Sequence, residues 1–205
     1  MTVAWILSII LCMKGLRRFL PLCIVLTVQM AMELTVAWLY AEGSEFVWIY
    51  HVYAIFDYTL FSIYFMQLVS LKYKRWIMIS ILLFALASAS ISYWYYHFKT
   101  FPGANINTEG VLICIICIYV LLNLDIHLFD AIYKHPDFWI SLGLLISFGG
   151  TFFSNGLYTY LYEMDPVQAK KLFNIINSPL NLIQYTCFII GFVCAVPQKS
   201  TIRLS

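Results

Sequence analysis

Val111-Leu-Ile-Cys-Ile-Ile-Cys-Ile-Tyr-Val120 runs ten residues without a charge, an amide, a glycine or a proline. Only helices and closed barrels satisfy their backbone groups inside lipid. A spanning helix needs about 20 residues and a barrel strand only about 9–11. Widened to its nearest breaks, the run extends from Gly110 to Phe129, which is the length of a helix. The CxxC formed by Cys114 and Cys117 lies inside it and reads as packing thiols rather than a redox pair. Nearly all six cysteines sit in such apolar runs, which suggests no disulfide framework.

Six further segments share this character: Thr2–Met13, Phe19–Ala41, Phe46–Leu71, Trp76–Phe98, Phe138–Tyr162 and Phe173–Val196. Lys14–Arg18, Glu42–Glu45, Lys72–Arg75, Phe101–Asn105, Lys134–Asp137 and Met164–Pro166 separate them. The chain as a whole agrees, because 62% of its 205 residues are hydrophobic and 11% are charged. Soluble domains are about 45–50% apolar and about 25% charged. The expected fold is therefore all-α, a polytopic transmembrane bundle of seven helices forming a single domain over residues 1–205. Its first helix is short, about 18 Å at 1.5 Å per residue, and is read either as a span helped by thinning of the bilayer or as an interfacial or re-entrant piece. A formal charge of +2 without a basic stripe excludes a nucleic-acid reader.

Lys and Arg set the orientation. With the N-terminus outside, nine of the 12 lie in inner segments: Lys14, Arg17, Arg18, Lys72, Lys74, Arg75, Lys134, Lys199 and Arg203. Lys99, Lys170 and Lys171 lie outside, where Glu42, Glu45, Glu109, Glu163 and Asp165 are also expected. The prediction is N-out and C-in. Trp38, Tyr40, Trp48 and Tyr93–Tyr96 at one interface, with Trp76 and Trp139 at the other, form an aromatic belt. His51 and His97 fall at the outer boundary and read as interfacial.

Polar side chains within spans are rare and face a bundle interior or a cavity. Gln29 and Glu33 share a face of the second helix. Glu33 lies about 21 Å from the inner end, and Asp57 on the third helix about 16 Å below its outer end. Asn155 on the sixth helix lies about 10 Å from the outer end. On the seventh, Asn174, Asn177, Asn181 and Gln184 form one stripe, which Pro179 interrupts by freeing a backbone carbonyl. Glu33, Asp57, Asn155, Asn177 and Asn181 thus lie at similar depth. With Gln29 and Gln184 they are expected to line an outward-facing polar pocket, or else to act as interhelical glue. Two buried carboxylates there could bind a cation, share a proton, or act as acid and base.

A second group, Asn123, Asp125, His127, Asp130, His135 and Asp137, reads as a solvated inner turn, since its spacing matches no zinc motif. No metal and no cofactor is expected. Gly143, Ser147, Gly150 and Ser154 make a small-residue stripe on the sixth helix, suited to seat the seventh helix or a neighbouring subunit.

Three stretches carry a resemblance: Tyr50-His-Val-Tyr-Ala-Ile-Phe-Asp-Tyr58; Pro136-Asp-Phe-Trp-Ile140 with Gly143 and Gly150-Thr-Phe-Phe153; and Ile176-Asn-Ser-Pro-Leu-Asn-Leu-Ile-Gln-Tyr185 with Gly191-Phe192. Together the chain resembles small heptahelical bacterial membrane proteins of unassigned activity, which transfers no catalytic residues. In size and style it is also similar to polytopic accessory proteins encoded beside type VI-B CRISPR effectors. The resemblance implies a multi-pass protein of the bacterial inner membrane, in contact with the bilayer and with a protein partner or a second copy. No lysine lies between Phe173 and Val196 for a retinal Schiff base, which argues against a microbial rhodopsin. The expected function is a non-enzymatic sensor or accessory subunit. The alternatives are an intramembrane enzyme using Glu33 and Asp57 as acid and base on an apolar substrate, and a small transporter or channel using them as cation sites.

Overall fold

The computed structural model describes residues 1–44, 46–124, 131–162 and 166–196, and among them helices joined by turns are the regular structure, with no strand. Seven helices follow one another: α1 (Thr2–Met13), α2 (Leu20–Ala41), α3 (Val47–Met66), α4 (Leu71–Ile91), α5 (Gly103–Leu122), α6 (Pro136–Tyr162) and α7 (Pro166–Ala195). Pro21, Pro136 and Pro166 sit at helix starts, where the missing N–H costs nothing and the fixed φ suits the first turn. Gly15 (φ 82°) and Gly43 (φ 71°) follow α1 and α2 in the left-handed region that a side chain would strain.

α2, α4, α5, α6 and α7 are each long and apolar enough to cross a membrane, as in a multi-pass membrane protein. Leu34, Leu82, Leu83, Leu86, Phe153 and Leu182 are each more than half exposed, which suits contact with lipid chains. α1 is apolar but has only 12 residues. α3 has 20 residues but is more polar, carrying His51, Asp57, Thr59, Ser62 and four tyrosines. It also buries more of itself than α2 or α4: Ile49, His51, Ala54, Asp57, Tyr58, Phe61, Ser62, Tyr64 and Phe65 are all hidden. A helix sheathed by its neighbours does not need an apolar surface all round.

The chain divides into two compact units. One runs from Arg18 to Glu109 and packs α2 and α4 against α3. Phe19 lies 6.4 Å from the Tyr64 ring, and Tyr58 lies 4.7 Å from Phe84 with its hydroxyl 2.8 Å from Ser80 Oγ. The other unit joins residues up to Arg17 with those from Gly110 onward. Its α6 and α7 make the closest pairing, and α1 lies against α7. Ile140, Leu144, Phe188 and Phe192 are fully buried there. α5 is continuous, with its first two turns in the first unit and the rest in the second.

Several expected boundaries move. α4 begins at Leu71 and ends at Ile91, instead of running from Trp76 to Phe98. A π-helical turn, Ser92–Tyr96, follows it, and His97 (φ 47°) and Phe98 (φ 58°) close that turn in the left-handed region. α5 begins at Gly103 rather than Gly110, so Asn105 and Glu109 belong to a helix and not to an outer loop. Their polarity had suggested solvent, whereas both are 2% exposed and face other polar groups. α7 likewise starts at Pro166, ahead of the expected Phe173.

Candidate functional site

The Arg18–Glu109 unit contains a polar seam built from α3, the end of α4 and the start of α5. Its upper part begins at His51, which is 1% exposed and so buried rather than interfacial. His51 Nε2 lies 3.0 Å from the Thr100 carbonyl. A carbonyl only accepts, so Nε2 carries the hydrogen, and in the neutral ring Nδ1 is then the acceptor. Ser92 Oγ, 2.8 Å away, donates to it. Asn105 Nδ2 donates onward to Ser92 Oγ at 3.0 Å and to the Ser88 carbonyl at 3.3 Å. Those two bonds identify the amide nitrogen of Asn105 and leave Oδ1 as its acceptor.

Ser92 continues the buried face of Ser88, four residues earlier on α4, and the left-handed close of the π turn brings the following chain back to α3. Tyr96 and Phe98 then enclose the His51 ring at centroid distances of 5.6 and 5.2 Å. Thr100 presents its carbonyl from the same return.

Asp57 and Glu109 form the lower part. Their carboxyls are hydrogen-bonded to each other, and Tyr53 Oη donates to Asp57 Oδ1 at 3.0 Å. Asp57 is 7% exposed and Glu109 is 2% exposed. A bond between two carboxyls needs one O–H donor, so the pair holds a proton whenever the bond is made. Glu109 stands one turn after Asn105 on the same face of α5, at a Cβ separation of about 5–6 Å. Asn105 Oδ1 and Ser88 Oγ are fully buried and have no hydrogen-bond partner among the described residues, and Glu109 Oε1 is fully buried beside Asp57.

The expected pocket residues fall into two groups. Gln29, Glu33 and Asp57 belong to the first unit, and Asn155, Asn177, Asn181 and Gln184 to the second. Glu33 lies on an exposed face of α2, and the carboxyl that meets Asp57 is Glu109. Gln29 is half-buried on α2. In the second unit Asn177 works across the α6–α7 seam. Its Oδ1 accepts from Ser154 Oγ at 3.1 Å and Thr151 Oγ1 at 3.4 Å, while its Nδ2 donates to the Phe173 carbonyl at 3.0 Å. Asn155 and Gln184 are buried, and Asn181 is exposed.

The small residues of α6 face α7. A Cβ added to Gly143 would stand 2.7 Å from Cys187 Cβ, and one on Gly150 would stand 2.6 Å from Leu180 Cδ1. Ser147 and Ser154 are buried on the same stripe. At the other end of α6, His135 Nδ1 lies 3.5 Å from Asp137 Oδ2. Asp125, His127 and Asp130 of the expected inner group fall outside the described residues. Among the described residues, no three His, Cys, Asp or Glu side chains group to hold a metal ion.

No family model, no curated protein and no solved structure matches this chain.

Proposed function

We propose that this chain is a non-enzymatic membrane sensor or accessory subunit whose working element is the polar seam of α3, α4 and α5. The burial of the Asp57–Glu109 pair carries this reading. An acid–base enzyme must bring its carboxyls to a substrate, whereas these two meet each other and are enclosed by helices. A buried polar seam is costly to half-satisfy, so a change of proton or ligand there shifts the helix packing around it. Such a shift is what a sensor transmits.

On the lysine and arginine bias, we place the N-terminus outside and the C-terminus inside a bacterial inner membrane. Partnership with a type VI-B CRISPR effector is the specific form of the accessory reading, and it rests on likeness of size and style. A small cation transporter is the second reading, favoured by the same carboxyl pair.

Native mass spectrometry of protein released directly from membrane vesicles, paired with cation flux into proteoliposomes, tests the proposal. A sensor or accessory subunit leaves the membrane in a defined complex with a second protein and conducts no cations. A lone chain that sustains flux, lost in Asp57→Asn, would overturn it in favour of transport.

A further inference from the structure

We propose that the seam binds one monovalent cation of the sodium or lithium class between Asn105 Oδ1 and the Asp57–Glu109 carboxyl pair. This goes beyond the sensor reading and holds equally for a transporter.

Three observations support the site. First, Asn105 Oδ1 is fully buried and takes no hydrogen bond from any described residue, and Glu109 stands one turn further along the same helix face. Buried acceptors are nearly always satisfied, and those that are not call for an explanation. The orientation of Asn105 is not open to revision, because its nitrogen is held by the Ser88 carbonyl and Ser92 Oγ. The atom of Asn105 left without a partner is thus an oxygen and not a donor.

Second, the donor set consists of oxygen: two carboxyls, one amide oxygen and the Ser88 hydroxyl. Hard cations prefer such ligands over nitrogen or sulfur.

Third, the charge selects a single positive charge. Two carboxyls sharing one proton carry one negative charge, and one monovalent ion brings the group to neutrality. A divalent ion would leave a buried positive charge, and such sites usually gather more carboxylates. The near-complete burial of Asp57, Asn105 and Glu109 suits an atom-sized occupant and not an organic ammonium.

The test uses the full-length protein in lipid nanodiscs. Thermal unfolding is followed through its six tryptophans in NaCl, LiCl, KCl and choline chloride at equal ionic strength. Equilibrium binding of radioactive sodium gives the stoichiometry. The expected result is about one ion per chain, with a saturable rise in Tm in sodium or lithium over choline, as binding to the folded state alone requires. Glu109→Gln and Asn105→Leu are expected to lose that cation-specific rise. Asn105→Asp keeps the oxygen and is expected to retain it. Glu33→Gln, outside the site, is expected to leave it unchanged. Melting that does not distinguish the four salts would overturn the proposal and leave a proton as the only occupant. Sodium binding that survives in Asn105→Leu would also overturn it. Should Glu109→Gln fail to fold, the contrast between Asn105→Leu and Asn105→Asp decides the matter. Partner retention and flux are read separately, so either proposal can fail while the other stands.

Discussion

The Ser92 hydroxyl donates to Nδ1 of His51 across 2.8 Å, in a place where neither side chain reaches solvent. Because Ser92 Oγ also accepts from Asn105, this one hydroxyl relays between α3 and α5. Ser92→Ala removes the relay and leaves a buried acceptor on His51 and a weakened donor on Asn105. Its expected cost is about 1–3 kcal/mol of folding stability. Ser90→Ala is the matched control, since that exposed hydroxyl bonds only the Leu86 carbonyl of its own helix. Thermal unfolding of both variants in one detergent checks the difference.

His97 is exposed and holds φ at 47°. A left-handed residue with a side chain is strained by roughly 1–2 kcal/mol, and glycine relieves that strain. His97→Gly is therefore expected to raise stability, or at worst leave it unchanged. His97→Val, β-branched in the same conformation, is expected to lower it. A reversal of that order in unfolding midpoints would mean that the His97 side chain matters more than its backbone.

Four glycines of the α6–α7 pair rank by what an added methyl would strike. Gly191→Ala meets the Pro136 carbonyl at 2.9 Å, and Gly143→Ala meets Cys187 Cβ at 2.7 Å. Neither obstacle can turn aside, so a loss of about 1–3 kcal/mol is expected for each. Gly150→Ala meets the tip of Leu180, which can rotate, and should cost less. Gly149→Ala meets nothing within 4 Å and should be tolerated. Heat-aggregation midpoints of the four variants read this order directly.

The carboxyl pair should behave as a unit. Asp57→Leu alone leaves Glu109 buried without its partner, and Glu109→Leu does the same to Asp57. Each is expected to cost about 1–3 kcal/mol for the abandoned group. The double variant, with both groups apolar, should cost clearly less than the sum of the two. Additive losses in a double-mutant cycle would show that the two side chains do not depend on each other. Tyr53→Phe removes only the hydroxyl that donates to Asp57 and should cost about 1 kcal/mol.

Hydropathy made the helices readable, because membrane-spanning runs are long and their composition leaves few alternatives. α1 has the expected bounds, Thr2–Met13. Asp57 was legible as a buried carboxyl, but its partner was not. Depth arithmetic places a residue along a helix axis and says little about azimuth, so Glu33 and Asp57 could be matched in height without facing each other. Glu109 was misplaced for a different reason. Asn105-Ile-Asn-Thr-Glu-Gly110, just after Pro102-Gly-Ala104, has the composition of a loop. The usable signal was the spacing of Asn105 and Glu109, four apart and running straight into the apolar segment that starts at Val111. His51 and Ser92 gave less warning, since the π turn after which Thr100 reaches His51 has no simple sequence mark.

The fit of α6 against α7 also bears on how the protein enters the bilayer. Lipid chains exert no hydrophobic drive between helices, so close approach and polar bonds must hold them together. The two helices are consecutive, with only residues 163–165 between their described ends. They can therefore leave the insertion machinery as a joined hairpin. In that form Asn177 enters the hydrocarbon already bonded to Ser154 and not as a bare amide. A pair inserted in that form would spare the Asn177 amide an unpaired passage into lipid.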